Sequence, residues 1–545
     1  MIHDLLAIED SVQDSADVCV VGAGIAGLLL AARLRDRGLR VVVLESGPCE
    51  QTERTNSLNE VVHLGIPYRG AMHGRTRGLG GTSTIWGGAL IPFLPEDMSA
   101  RPYLGLDDWP VQWHELETYV GEIEALCQVD HGPFDDAFVK WIGAEAHVPS
   151  GDRDLLARFA KWASFRRRNI ATLLKERVAR DPDLRIWVNA TVRDFTLDSS
   201  GIRLASVTAV HAGGRRITVA ARCFAVCTGA IESTRLLLWL DRVHGAFRAS
   251  PALGCYFFDH ISTFAADIAP RRLHDLNRLA GHRFVGSTVR SLRYELSPTV
   301  QREAKVASAF GHIAVRTDGP SGFDAVRAFL QSVQQTGRPD PKLIGGLARN
   351  LPYLLRLAAW RIGYRQLYWP RPAHYELHVC VEQLPYAGNR VALAEQTDAL
   401  GMARASIKWN VYQPDRDALV AFARRFGAFW RRHGLEDIAK LKWRFDFDHP
   451  DFDLAQPYDI FHPGGTTRMG RDSATAVVDR NLRTFALDNL FVASTSVFPT
   501  GASANPTLTL MLFALRLGDH LATAAAKSAP DIIDGRSGPT ATARP

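Results

Sequence analysis

The spacing of hydrophobic residues changes twice near the start of the chain. An apolar run, VCVVGAG, precedes the stretch IAGLLLAARLRDRG, whose apolar residues recur at helical spacing, and a second apolar run, RVVVLESG, follows it. Short apolar runs on either side of a helical segment are typical of buried parallel strands joined by a helix. The pattern therefore predicts a βαβ unit over residues 17–44.

Later segments show other periods. Residues 114–127, 152–180 and 415–433 have helical spacing, whereas 185–198 and 203–229 read as three strands, with a Gly-Gly turn inside the second range. FGHIAVR, HYELHVCVEQLP, RVALA and ARASIKW read as further strands, and 489–522 as a strand followed by a long helix. Residues 64–93 are rich in Gly, Thr, Ser and Trp, and they predict an extended loop pressed against a ligand.

Together these patterns predict an α/β fold. We expect a discontinuous Rossmann-type domain, built from 14–265 and 455–525, and an α+β substrate domain with an antiparallel sheet over 266–454. Residues 526–545, rich in Ala, Pro, Ser and Thr, are expected to be disordered. Residues 321–371 are helical, apolar and basic, and two interpretations stay open: a packed excursion or lid, or a contact with a membrane surface or another subunit.

The charge balance argues against a nucleic-acid partner. The 64 Lys and Arg residues exceed the 58 Asp and Glu residues by only six, without a concentrated basic stripe beyond one modest candidate within 349–371. Seven scattered cysteines without CxxC spacing indicate reduced thiols. The N-terminus has acidic residues where a secretory signal would have basic ones, so both features favour a cytoplasmic protein. The sequence has no apolar run long enough for a transmembrane helix and no metal-binding motif, so we expect neither feature. Oligomerisation stays open.

Three glycines and one acidic residue predict dinucleotide binding. Gly22, Gly24 and Gly27 form GAGIAG between the first strand and the helix, and Glu45 ends the next strand. Gly22 makes the tight turn, Gly24 lets a pyrophosphate approach the backbone, and Gly27 lets the helix pack against the strand. Glu45 suits a ribose hydroxyl, and the helix N-terminus faces the phosphates.

The remaining motifs resemble the glucose-methanol-choline (GMC) oxidoreductases. They are LGGTSTIWGG, WPVQWHELETYVGEIEAL, AVCTGAIESTRLLL, LGCYFFDH, HPGGTTRMG, VVDRNLRTFALDNLFVAS and FPTGASANPTLTL, in the order that this family has. The last motif, with a histidine–asparagine pairing, resembles the branch that holds pyranose oxidases. The resemblance implies FAD as cofactor, with contacts at Gly81, Thr82, Ser83, Trp86, Gly87, Val192, Gly229, Ser494, Pro506 and Thr507.

Two positions depart from the family pattern. Ile85 stands where members with covalent flavin carry a histidine, so we expect FAD to be bound non-covalently. Ser494 stands where many members carry an acid, which leaves the contact to the ribityl chain open.

The resemblance also places two catalytic residues at the flavin. His462, in a glycine-bounded loop, is expected to act as general base, because an imidazole titrates near neutrality and can take the hydroxyl proton. Asn505 is expected to donate to the substrate oxygen, and with Pro506 it also suits the start of a helix. A packing role for His462 is the alternative, and Asp259 and His260 are expected to be structural or hinge residues.

The expected reaction is oxidation of a CH–OH group in a small-molecule alcohol, with oxygen or another electron acceptor. Sugars, polyols and aminoglycosides are the candidate substrates. The arginine-rich composition indicates a GC-rich bacterial source. The resemblance includes aminoglycoside 6′-dehydrogenases of antibiotic biosynthesis, so this activity is one of the candidates. The alternatives are a flavin-containing lyase of the same fold, or a non-enzymatic protein that binds membranes or nucleic acid.

Overall fold

The computed structural model describes residues 1–50, 52–211, 213–319, 321–448 and 460–527. Nearly all of the tail that was predicted to be disordered lies outside these ranges.

Strands and helices alternate through the first part of the chain, and longer strands dominate its middle. Within the described ranges the strands are β1 (Ile2–Asp4), β2 (Val12–Val21), β3 (Val41–Leu44), β4 (Val61–His63), β5 (Ala89–Leu90), β6 (Leu155–Trp162), β7 (Leu184–Val188), β8 (Thr191–Leu197), β9 (Leu204–Val210), β10 (Arg216–Val226), β11 (His260–Pro270), β12 (Arg283–Val285), β13 (Thr288–Leu296), β14 (Ala309–Arg316), β15 (His374–Glu382), β16 (Arg390–Thr397), β17 (Ala403–Lys408), β18 (Ala439–Trp443) and β19 (Leu490–Val492). The α-helices are α1 (Ile25–Asp36), α2 (Glu53–Asn56), α3 (Gly70–His73), α4 (Trp113–Leu116), α5 (Val120–Cys127), α6 (Ala137–Trp141), α7 (Ile170–Arg180), α8 (Gly229–His244), α9 (Leu273–Ala280), α10 (Pro298–Ala304), α11 (Gly322–Thr336), α12 (Ile344–Arg349), α13 (Leu351–Tyr364), α14 (Gln413–Arg432) and α15 (Thr507–Lys527).

The first sheet is parallel where the sequence predicted the βαβ unit. Its order is β1-β7-β3-β2-β10-β9-β8, with β19 beside the end of β10. The strands from β1 to β10 pair in parallel, as does β19, whereas β9 and β8 add an antiparallel extension. Helices α1 and α15 pack together on this sheet. The Rossmann-type part of the fold prediction is therefore confirmed.

The second sheet is antiparallel, in the order β18-β11-β15-β14-β13-β6-β5 with β12 beside β13. One of its faces packs against α14, whose Phe422, Phe426 and Trp430 are buried. Charged and imidazole side chains of β11, β13 and β15 contact residues 502–505, which precede α15. Strands β5 and β6 come from within the predicted 14–265 segment, so the antiparallel sheet uses both predicted segments. A third, small sheet joins β16, β17 and β4.

The prediction of a helix over 152–180 is wrong in its first half. Strand β6 occupies that part and pairs with β13 over eight residues, from Leu155 opposite Leu296 to Trp162 opposite Val289. This long-range pairing overrides the local spacing of apolar residues. The second half of the segment does form a helix, α7.

The helices predicted at 321–371 and at the C-terminus are both present. The window Thr507–Ala525 is long and apolar enough to cross a membrane by composition, but 56% of it is buried inside the fold. Met511, Leu512 and Phe513 are fully buried there, as expected of a core helix.

Substitution of Gly27 tests the close packing of α1 on the parallel sheet. A Cβ at this position would lie 1.9 Å from the carbonyl oxygen of Gly22. We expect Gly27→Ala to lower the free energy of unfolding by about 1–3 kcal/mol, because the backbone must shift. Chemical denaturation measures this.

Gly121→Ala is the matched control for that measurement. Gly121 is an exposed position of α5 where a Cβ would meet no atom within 4 Å. The free energy of unfolding of the Gly121→Ala variant should rise by about 0.5–1 kcal/mol. Equal stabilities of the two variants would contradict the packing role of Gly27.

Candidate functional site

The parallel sheet opens at one edge onto a cleft. Val21, Leu44 and Ala493, at the carboxyl ends of β2, β3 and β19, line it together with Cys227, which follows β10. Ligands of open parallel sheets bind at this edge, because the loops that leave the strands diverge there.

Three helices begin at the cleft. Gly24 precedes α1, Thr228 precedes α8, and Pro506 precedes α15, and all three line the cleft. Neither Gly24 nor Thr228 caps its helix with a side-chain hydrogen bond. The first backbone N–H groups of a helix lack partners within it and carry partial positive charge, so this cleft suits an anionic ligand.

The glycines of GAGIAG occupy the three positions that the motif requires. Gly22 has a φ of +101°, which an L-residue rarely adopts. A Cβ on Gly24 would meet no protein atom within 4 Å, so this residue leaves open space on the cleft side. Gly27 does not line the cleft and packs beneath the turn. The space above Gly24 is a cradle that a side chain would fill, and it fits a pyrophosphate.

Glu45 lines the cleft but already accepts three backbone hydrogen bonds. The N–H of Ala23 donates to its Oε2 at 2.8 Å, and those of Gly47 and Gly78 donate to its Oε1 at 2.9 and 3.0 Å. Burial raises the pKa of the Glu45 carboxyl, against the effect of these donors. Glu45 thus holds together three loops at the cleft, and its contact to a ribose hydroxyl stays a prediction.

The other predicted cofactor residues divide into two groups. Those that line the cleft are Gly81, Thr82, Val192, Gly229, Ser494, Pro506 and Thr507. Those outside the lining are engaged within the protein. The Ser83 hydroxyl donates to the Gly80 carbonyl at 2.5 Å and accepts from the Ile170 N–H, and the Trp86 indole donates to the Arg168 carbonyl at 2.9 Å. A Cβ on Gly87 would meet the Trp162 ring at 2.8 Å.

Two arginines at the cleft were not predicted. Arg75 and Arg77 line it, and Arg77 pairs with Glu232 at 2.9 Å. Burial lowers the pKa of Arg75 to about 10, which leaves its guanidinium charged at neutral pH. The signal was present in the sequence, since both lie in the HGRTRGLGG part of the loop that was predicted to contact a ligand.

The structure brings His462 and Asn505 together. The Asn505 Nδ2 lies 3.4 Å from the His462 Nε2, and His462 also lines the cleft. The backbone N–H of His462 donates to Asp259 at 2.7 Å, which fixes the loop. Burial lowers the pKa of His462 well below 6.5, with help from His260 and Arg293. The imidazole is therefore neutral at neutral pH and can accept a proton.

A second imidazole fixes which nitrogen of His462 carries the proton. The His260 Nε2 lies 2.8 Å from the Ala502 carbonyl oxygen, which only accepts, so a neutral His260 carries its proton there. Burial lowers the pKa of His260 to about 4, so it is neutral. Its Nδ1 must then accept from the His462 Nδ1, 3.0 Å away. The lone pair of His462 is thereby directed to Nε2, beside Asn505.

Arg293 fixes the orientation of the Asn505 amide in a similar way. Its Nη1 lies 3.3 Å from the Asn505 Oδ1, and a guanidinium only donates. The amide N–H₂ therefore faces His462. Arg293 is buried and its guanidinium stacks 4.2 Å from the centre of the Phe310 ring. The pair presents one acceptor and one donor side by side, which suits a hydroxyl group.

Two buried carboxylates of the antiparallel sheet hold the segment that carries Asn505. Glu382 accepts from the Ala502 N–H at 3.1 Å and forms a two-bond ion pair with Arg101 at 2.5 and 2.7 Å. Glu295 accepts from the Ser503 hydroxyl and pairs with Arg158 at 3.2 Å. Burial opposes ionisation of both, but the arginines outweigh it and keep both pKa values below their usual range.

Comparison with known proteins assigns parts of the chain to described families. Residues 385–514 match the model for the GMC oxidoreductase family, and residues 20–50 match the NAD(P)-binding Rossmann-like domain. The first match contains His462 and Asn505, and the second contains the three glycines and Glu45.

Full-length relatives are distant in sequence. A 2-methyl-1,2-propanediol dehydrogenase of Mycolicibacterium austroafricanum is 23% identical, over 97% of this chain and 98% of the relative. A paromamine 6′-oxidase of Streptomyces fradiae is also 23% identical, over 92% and 90%. The crystal structure of a formate oxidase covers 95% of this chain and all of its own, with a TM-score of 0.59 at 15% identity, so it shares the fold.

Gly24→Ala tests the cleft as a dinucleotide site. The added methyl group enters open space, so the stability of the cofactor-free protein should not change. It occupies the position of a pyrophosphate, so the affinity for FAD should fall about tenfold or more. Fluorescence titration of the cofactor-free protein with FAD measures the affinity, and unchanged affinity would contradict this placement.

Proposed function

We propose that this chain, a GMC oxidoreductase, oxidises the CH–OH group of a sugar, a polyol or an aminoglycoside-like alcohol, with His462 as general base. One observation carries the proposal: the neutral His462 lines the dinucleotide cleft, and its Nε2 lone pair lies 3.4 Å from the Asn505 amide nitrogen, so an acceptor and a donor are adjacent there. A substrate hydroxyl at that point donates its proton to Nε2 and accepts from the Asn505 amide.

FAD fits the cleft and would supply the hydride acceptor when bound. Its pyrophosphate matches the space above Gly24 and the helix N-termini, and Arg75 adds a half-buried positive charge. Residue 85 is isoleucine, which has no nucleophilic atom, so we propose that the cofactor is held there without a covalent bond.

The protein's own groups provide for the charge changes of the reaction. His462 takes the hydroxyl proton as the C–H bond breaks, because general-base catalysis removes the cost of a free alkoxide. Asn505 stabilises negative charge that develops on the oxygen. Arg293 is close enough to Asn505 to add positive charge to the same region while it orients the amide.

The charges around the pair favour an uncharged group at the reacting carbon. The neighbouring carboxylates Glu295 and Glu382 are both paired with arginines, and Arg293 is a buried cation. An ammonium group next to the reacting hydroxyl would be repelled by Arg293, whose guanidinium lies 3.3 Å from the Asn505 Oδ1. An aminoglycoside would therefore place its amines away from this point.

A lyase of the same fold is less consistent with this arrangement. His462 lines the dinucleotide cleft, where an oxidation needs its base. Anaerobic mixing with substrate distinguishes the two activities, because an oxidation bleaches the flavin and a lyase reaction leaves it oxidised.

His462→Ala tests the general base. We expect the variant to retain FAD and its rate constant for flavin reduction by alcohols to fall about 10²–10⁴-fold. Since burial keeps the His462 pKa well below 6.5, the wild-type rate constant should be flat from pH 6.5 upward and decrease only at lower pH, where the imidazole is protonated. Anaerobic stopped-flow absorbance measures it.

His114→Ala is the matched control, because His114 is an exposed residue of α4. It should reduce its flavin at the wild-type rate. If no diol, sugar or amino alcohol bleaches the wild-type flavin, the proposed function itself fails.

A pair of variants at His260 tests the control of the His462 tautomer. His260→Asn retains an amide oxygen at the distance from the backbone where Nδ1 lies, so it can still accept from His462. His260→Gln instead reaches the Nε2 position and loses that acceptor. We expect reduction within about tenfold of wild type for Asn, and a loss of about 10²–10⁴-fold for Gln, by analogy with a base held in the wrong tautomer.

A purely structural role of His260 would give a different result. Both amides would then reduce thermal stability and flavin reduction to the same degree. Thermal unfolding and FAD content, measured beside the reduction rate, separate the two explanations.

A further inference from the structure

We propose that the outer face of helix α13 docks on the surface of an anionic lipid bilayer. The face, called here the α13 stripe, consists of Leu351, Leu355, Ala358 and Ile362. The inference is independent of the reaction proposed above.

The α13 stripe is an ordered helix face that the fold leaves uncovered. Leu351, Leu355 and Ile362 are 54%, 63% and 83% exposed. At 3.6 residues per turn, positions 351, 355, 358 and 362 lie on one side of the helix. No residue of α13 is buried, in contrast to α14, which buries nine. Of the fifteen large hydrophobic residues that are exposed in the described part of the chain, five lie between 344 and 364.

The opposite side of α13 faces the protein. The Tyr353 ring packs against Gly322 of α11, and its hydroxyl donates to the Tyr368 carbonyl at 2.9 Å. Helix α11 in turn holds the loop at the cofactor cleft, because Gln334 donates to the Trp86 carbonyl at 2.8 Å and to the Ser83 carbonyl at 3.2 Å. The helical segment is therefore attached on its inner side, and the stripe points outward.

Charge identifies the partner. Residues 337–371 contain seven Lys and Arg residues against one Asp, a net charge of +6, which equals the net charge of the whole chain. The remaining residues are neutral on balance. All seven are exposed, and none forms an ion pair with another residue in the part that the structure describes; they are Arg338, Lys342, Arg349, Arg356, Arg361, Arg365 and Arg371.

This combination fits a bilayer better than the alternatives. An apolar stripe surrounded by Lys and Arg is the composition of interfacial helices, which bury the apolar side among lipid chains and place the basic groups at anionic headgroups. A second copy of this chain, paired through the same face, would bring one net charge of +6 against another, which is repulsive. A nucleic acid would use the charges but not the apolar stripe.

Vesicle sedimentation with the full-length, FAD-loaded protein tests the proposal. We expect binding to vesicles of equal parts phosphatidylglycerol and phosphatidylcholine, little binding to pure phosphatidylcholine, and weaker binding as salt concentration rises. Leu355→Gln combined with Ile362→Gln should weaken binding about tenfold or more, since it removes the apolar contact. Arg356→Gln combined with Arg361→Gln should weaken it and reduce its salt dependence.

Ile202→Gln combined with Val243→Gln is the matched control. These two residues are 53% and 56% exposed and lie in other parts of the fold, so binding should not change. Unchanged FAD content and melting temperature confirm that each variant is folded.

Three results would overturn the proposal. One is failure of the wild-type protein to bind phosphatidylglycerol vesicles at low salt. Another is equal binding by the Leu355/Ile362 variant. The third is a dimer, seen by analytical ultracentrifugation, that this variant converts to monomers, because the stripe would then be a contact between copies of the chain.

Discussion

The attachment of residues 501–505 to the antiparallel sheet is the contact on which the site depends. Glu382 and Glu295 are fully buried, and each receives a hydrogen bond from this segment as well as an ion pair from an arginine. Buried carboxylates are costly unless charge and hydrogen bonds compensate them, so the segment and the arginines stabilise each other. The backbone of Ala502 is held in the left-handed region, with φ at +50°, which only such surroundings maintain.

That attachment determines which nitrogen of His462 carries the proton and how the Asn505 amide is oriented. The Ala502 carbonyl determines where His260 carries its proton, and His260 then determines where His462 carries its own. Asn505, four residues from the start of the segment, is oriented by Arg293. The arrangement needs no charged histidine, since burial lowers the pKa of both imidazoles. A neutral base can then accept a proton without first losing one.

Positive charge is used in two different ways in this protein. At the cofactor cleft it is local: Arg75 and Arg77 line the cleft at which three helices begin. In residues 337–371 it is exposed, forms no ion pair with any residue that the structure describes, and surrounds apolar side chains. The small net charge of the chain gives no indication of this separation, because the rest of the sequence balances to zero.

The sequence by itself determined the features that depend on near neighbours or on whole motifs. The βαβ unit, the three glycines and the fold class follow from local spacing, and the fold prediction is confirmed. His462 and Asn505 were assigned from motifs, and the structure places them 3.4 Å apart, although their chemical roles stay predictions. Helices α11, α13 and α15 were predicted from period alone.

Only the tertiary structure decided the contacts between distant segments. His260 was expected to be structural, and Arg293 was not predicted at all. Their partners lie 242 and 212 residues away, at Ala502 and Asn505. Strand β6 was mistaken for a helix because its pairing with β13 spans more than a hundred residues. Ser83 and Trp86 were assigned to the cofactor, yet their polar groups bond within the protein. Local spacing shows which side chains are available, but the direction of a hydrogen bond depends on what the folded chain brings against it.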